Sequence, residues 1–214
     1  ADIVSSLDAL TSAAPNLAAV SLVVSWFGTD LRAGACAVKP GVEVSEKTTE
    51  PYDWSVGGAA RDEAHVVSLN DGEPAYGGTP SDKSVVEAIA ALKARGLEVM
   101  FHPFILMDIP AGNGLPDPYG GGEQAAYPWR GRITVGENDK TAAAASDIAS
   151  LFGTAAPSDF SISGGEVVYS GPDEWSFRRF ILHNAFLCVL AGGVERFLIG
   201  SELRGLTTAR SSAN

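Results

Sequence analysis

Long, nearly uninterrupted apolar runs separated by helix-sized connections constrain this chain more than any other feature. Residues 17–27 (LAAVSLVVSWF) and 97–107 (LEVMFHPFILM) are apolar on both alternations, and 194–200 gives a third run after a long helical stretch. Such runs fit strands covered on both faces, as in a parallel sheet. Residues 64–69 form a weaker strand candidate, followed by a loop marked by Gly72, Pro74, Gly77, Gly78 and Pro80. Ser81 caps a predicted helix over 82–95, with Val85, Ile89 and Leu92 on one face and Gly96 closing it. Residues 141–152 are Ala-rich and helical in pattern, and 156–171 reads as a turn or short hairpin. Pro172 opens a helix reaching Leu190, stopped by Gly192 and Gly193. On this count residues 194–200 are the fourth strand.

Strands alternating with helix-sized connections are the pattern of parallel βαβ units, so the expected class is α/β. Neither a Gly-x-Gly-x-x-Gly after the first strand nor a phosphate-binding loop occurs, which shifts the reading from a doubly wound nucleotide fold to a barrel. A complete (β/α)8 barrel takes ~250 residues. Four strands with long insertions already use these 214, so the whole chain reads as the N-terminal half of one TIM-barrel-like domain, about four βα units of a longer polypeptide. Residues 1–17 lack the charged and apolar regions of a signal peptide and look like an amphipathic helix. The longest apolar stretch, 180–193, is shorter than a membrane span and carries His183 and Asn184, so it reads as a buried helix.

The net charge of -11 disfavours nucleic acid and anionic lipid as partners and suits a neutral one. Cys36 and Cys188 give no disulfide framework, and three scattered histidines give no zinc signature, so neither cofactor nor metal is expected. In barrels the active site forms at the C-terminal ends of the strands. Those ends deliver Ser25, Trp26, Thr29 and Asp30, then His102, Pro103 and Asp108, then Ser201, Glu202 and Arg204. Glu202 follows apolar Phe197, Leu198 and Ile199, where a partly dry mouth would suit a proton-donating carboxyl. Trp26 and Trp129, the latter in a long Gly/Pro-rich excursion over 108–137, offer flat platforms for sugar faces. Other readings stay open: Glu202 capping the next helix or pairing with Arg204, and Trp26 and His102 as core residues. Arg178 and Arg179 read as a solvated helix face.

The segments Val99-Met100-Phe101-His102-Pro103-Phe104, Trp129-Arg130-Gly131-Arg132-Ile133 and Phe197-Leu198-Ile199-Gly200-Ser201-Glu202-Leu203 resemble barrels of the retaining glycosidase clan that includes β-mannanases. More closely, Val20 to Gly28 with Asp30-Leu31-Arg32, the turn Ala75 to Asp82, and Gly200-Ser201-Glu202-Leu203-Arg204-Gly205-Leu206-Thr207 resemble the glycoside-hydrolase TIM-barrel-like domain of the large tail protein of gene transfer agents and related phages. The resemblance implies a retaining glycoside hydrolase acting on polysaccharide or peptidoglycan, with Glu202 as acid/base. Trp26, His102, Trp129, Arg130, Ser201 and Arg204 would contact substrate. Ser201 stands where the clan often has Asn; its shorter hydroxyl can still bond the sugar 2-hydroxyl, with weaker transition-state stabilisation. The nucleophile, after a seventh strand, would lie beyond Asn214. It further implies a homotrimer among other tail and baseplate proteins, at the tail tip of a phage-like particle produced in the bacterial cytoplasm. A catalytically inactive glycan-binding or structural module is the competing expectation. A free-standing metabolic barrel lacks the phosphate or cofactor site it would need.

Overall fold

The computed structural model describes residues 2–212. In chain order its elements are α1 (Asp2–Ala13), β1 (Ala19–Gly28), β2 (Val38–Lys39), β3 (Gly41–Val42), β4 (Ser55–Val56), β5 (Ala59–Ala60), β6 (His65–Val66), β7 (Leu69–Asn70) and β8 (Glu73–Pro74). These are followed by α2 (Asp82–Lys93), β9 (Glu98–Met107), α3 (Ala142–Phe152), β10 (Phe160–Ser163), β11 (Glu166–Tyr169), α4 (Phe177–Leu190), β12 (Arg196–Phe197) and α5 (Arg204–Thr207). β1 and β9 pair in parallel over ten residues, from Ala19 opposite Glu98 to Gly28 opposite Met107. β12 extends the sheet in parallel beside β9, and β2 closes the other side antiparallel to the end of β1.

The main sheet among the described residues therefore has three parallel strands and no closed barrel, against four expected. The candidate over 64–69 is the difference. Its central residues form β6, which pairs with β3 in a separate two-stranded ribbon, and Leu69 belongs to the β7–β8 ribbon. The third strand is also shorter than the expected 194–200. Only Arg196 and Phe197 pair with Met100 and Phe101. Further along, the same edge of β9 is occupied by the excursion, where Met107 N–H donates to the Trp129 carbonyl at 2.9 Å and Tyr127 N–H to that of Ile109 at 2.8 Å.

The helices follow their sequence signals closely. Ser81 caps α2, whose buried face includes Val85, Ile89 and Leu92, and Thr141 caps α3. α4 starts later than Pro172 suggested, because Ser176 accepts from Arg179 N–H and so becomes the cap. Gly192 and Gly193, both at positive φ, follow its end.

Strand alternation gives the sheet two unlike faces. Val24, Val99 and Phe101 pack with Ile89, Leu92 and Leu187 of α2 and α4, while Trp26, Ile105 and Met107 join Phe177 and Phe180. The opposite face carries Ser21, Val23, Ser25, Met100, His102 and Phe104, and none of these is fully buried. At its C-terminal end Phe27 is covered by Val67 and Tyr76, with Leu106 and Tyr127 beside them.

A buried polar knot ties the excursion to β1. Asp30 accepts from the Arg32 guanidinium at 2.6 and 3.0 Å and from Gln124 Nε2 at 2.8 Å, while Gln124 Oε1 accepts from Leu31 N–H. Burial raises the Asp30 pKa, but the bonds from the Arg32 side chain and backbone and from Gln124 outweigh it, leaving a net value below the usual one. Since the folded-state pKa is lowered, this stabilisation is present above the ordinary aspartate range and is lost as pH falls through the lowered value. Asp30→Asn is therefore expected to flatten the acid limb of the stability curve, measured by denaturant titration from neutral to acid pH. An unchanged limb would remove Asp30 from the acid response. The two faces predict a second contrast. Phe101→Ala should cost about 3–5 kcal/mol, whereas Val23→Thr, at a side chain 51% exposed, should stay within about 0.5 kcal/mol. Equal losses in denaturant unfolding would mean that the open face is covered.

Candidate functional site

The level, in-register pairing of β1 and β9 brings Gly28 and Met107 side by side, so the residues that follow gather at one mouth. Three segments meet there: 127–131, 65–76 and 198–206. The first is fixed by its backbone bonds to Met107 and Ile109. The last is fitted against it through glycines. A Cβ on Gly131 would lie 2.5 Å from the Glu202 carbonyl oxygen, and one on Gly205 would lie 2.5 Å from that of Ile133. That close approach sets the Arg130 Nη1 of one segment 3.3 Å from the Glu202 Oε1 of the other.

Backbone strain concentrates at this junction. Tyr127, Trp129 and Glu202 have φ of 46°, 69° and 58°, a region that non-glycine residues seldom occupy. Such strain persists where surroundings enforce it, and it clusters at functional sites. The Trp129 ring is 54% exposed and lies 5.9 Å from the Tyr76 ring. Tyr76 itself is anchored by its hydroxyl, which donates to the Met107 carbonyl.

The expected site residues are thus distributed unevenly. Trp129, Arg130 and Glu202 come together. Ser201 adjoins them half-buried, and Arg204 is exposed on α5. Glu202 follows the third parallel strand rather than a fourth. Its side chain is 43% exposed and ion-paired, a solvated setting rather than the dry mouth expected for a proton donor. Trp26 is corrected outright: it is fully buried on the helix-facing side of β1, with its ring 5.6 Å from that of Trp175 and 5.2 Å from that of Phe180. No sugar can reach it. His102 lies in the middle of β9 opposite Val23, on the open face, five residues short of the strand end. At about 3.3 Å per residue it stands well away from the mouth. Arg179, read as solvated, is buried, its guanidinium between the rings of Tyr169 and Trp175 and donating to the carbonyls of Glu174 and Gly57.

One pairing at the mouth was missed. Asp108, the residue after β9, has no exposed side-chain surface, and its Oδ2 lies 2.6 Å from His65 Nε2 while accepting from Ser68 N–H at 3.0 Å. Asp108 was visible as a strand-end residue, but no spacing signal links it to a histidine 43 positions earlier. Among the described residues no group of three or more His, Cys, Asp or Glu side chains is placed to hold a metal ion.

No curated protein matches this chain. A family model described as the GTA TIM-barrel-like domain, a name linked to gene transfer agents, matches residues 175–214, the stretch containing α4, β12 and Glu202.

Proposed function

We propose that this chain contributes a glycan-gripping mouth to a TIM-barrel-like domain of a gene-transfer-agent or phage-like tail protein, placed at the tail tip in a homotrimeric setting with other tail and baseplate proteins. The partner is cell-envelope polysaccharide or peptidoglycan. The exposed Trp129 ring carries this reading: it is backed by Tyr76 and held by a strained backbone, so it offers a rigid apolar platform at little entropic cost. The neighbouring Arg130 and its ion-pair partner Glu202 supply polar groups beside it. The open sheet face, with Val23 half exposed, suits further strands that would complete the barrel, because parallel sheets are normally covered on both sides. The family match over residues 175–214 supports the TIM-barrel-like and gene-transfer-agent part of this reading.

A second reading, retaining glycoside hydrolysis with Glu202 as acid/base, is favoured by the positive φ at Glu202. Hydrolysis needs a second carboxyl on the opposite sugar face, ~5 Å from the first in a retaining enzyme. The two readings separate on one pair of variants. Trp129→Ala is expected to weaken co-sedimentation with peptidoglycan by about tenfold, the loss of ~1.4 kcal/mol. Glu202→Gln should retain binding. If the wild type releases reducing ends and Glu202→Gln does not, the hydrolytic reading holds. Undiminished binding by Trp129→Ala would overturn the platform.

A further inference from the structure

The His65–Asp108 pair lies at the same mouth but is not used by the reading built on Glu202 and Trp129, and it has the features of a poised site. By the alternation of β9, Asp108 continues the open-face series of Met100, His102, Phe104 and Leu106, the direction in which barrel strands present reacting groups at their C-terminal ends. Its carboxyl is wholly enclosed, yet Oδ1 finds no hydrogen-bond partner among the described residues. Burying a carboxylate with one oxygen unanswered is costly, and such groups in native folds call for a reason beyond stability.

The hydrogen bonds define what His65 offers. Oδ2 accepts from Ser68 N–H, and with Asp108 as a carboxylate the Nε2 that lies 2.6 Å away carries the ring proton and donates it to the same oxygen. In the neutral ring the lone pair then lies on Nδ1. His65 keeps 23% of its side chain exposed. It lines a cleft of about 160 Å3 with Lys39, Glu63 and Trp175. Past Glu63 and Trp175 this cleft adjoins a hollow of about 390 Å3 that reaches Tyr169 and Arg179. The walls combine rigid aromatic rings with charged donors and acceptors, as hydroxyl-rich ligands require. β3, Phe27 and Thr79 hold the framework. Thr79 Oγ1 accepts from Gly41 N–H and donates to the Ser25 carbonyl, and a Cβ at Gly41 would lie 2.5 Å from the Phe27 ring.

We propose that this cleft is a second saccharide subsite in which His65 Nδ1 accepts the hydrogen bond of a sugar hydroxyl, with Asp108 as the positioning residue that keeps the ring proton on Nε2. The proposal rests on the glycan reading above and extends it to the β2 side of the mouth.

The test uses the full chain and tri-N-acetylchitotriose as the probe. In 15N-labelled protein, the His65 proton should reside on Nε2 before ligand is added, and the Nδ1 signal should move on titration. A proton found on Nδ1, or an Nδ1 signal indifferent to saturating trisaccharide, overturns the proposal without any variant. His65→Gln retains a donor for Asp108 but has no acceptor at the Nδ1 position, its Oε1 lying elsewhere on a flexible amide. It is expected to keep the wild-type melting temperature and to bind the trisaccharide about tenfold more weakly, the scale of one lost hydrogen bond. If His65→Gln binds like wild type while Trp129→Ala does not, this subsite falls and the platform stands. If wild type fails to bind the trisaccharide, the subsite falls, and the platform is judged by peptidoglycan co-sedimentation.

Discussion

The ten-residue parallel register between β1 and β9 is the constraint on which the rest of the structure depends. It aligns the two strand ends, so Thr29 and Asp30 leave the sheet beside Asp108 and Ile109. It also fixes which residues face the helices. Once Val24 lies opposite Pro103 and Leu22 opposite Phe101, the alternation sends Trp26 into the helix-facing core and Phe27 toward the mouth. A one-residue slip would exchange those faces and expose Trp26, an aromatic whose burial stabilises the fold by several kcal/mol, on the order of 3–5 if judged by truncation. Register therefore decides both the core and which aromatics a ligand can meet.

The excursion after β9 is the second determinant. By placing the Trp129 carbonyl on Met107 N–H, it takes the lane beside β9 that a longer third strand would have used. β12 ends after two paired residues, and the chain turns through Glu202 in a left-handed conformation against Gly131. One packing event thus accounts for the short strand, the strained glutamate and the Arg130–Glu202 ion pair. It also leaves the Glu202 carboxyl solvated. In this setting, proton donation by Glu202 would require a bound ligand to exclude water from it.

Much of the fold was legible because its signals are local. The cap Ser81, the terminating Gly192 and Gly193, the helical pattern over 141–152, the hairpin within 156–171 and the two long apolar strands are written in short windows. What was not legible depends on partners distant in the chain. A run such as 17–27 is apolar on both alternations, so the sequence does not say which face meets helices, and Trp26 could be read either way. Residues 64–69 have strand-like composition, but β6 finds its partner in β3 rather than in the sheet, which shifted the strand count. The meeting of Arg130 with Glu202 was compatible with a shared cleft. The meeting of His65 with Asp108 was invisible, since only the ribbon that carries His65 over the strand ends creates it. The family match covers residues 175–214, the stretch that carries α4, β12 and Glu202, and the sheet that β12 joins keeps one face open.

The central claim is that ligand recognition lies at the C-terminal ends of the parallel strands. Amide chemical-shift mapping with soluble peptidoglycan fragments tests it most directly. The account predicts that the perturbed amides cluster at residues 65–68, 108–109, 127–131 and 200–204, while Ala19, Glu98 and the rest of the opposite strand ends stay unmoved. Perturbations centred on those opposite ends, or on the helix-covered face, would contradict it.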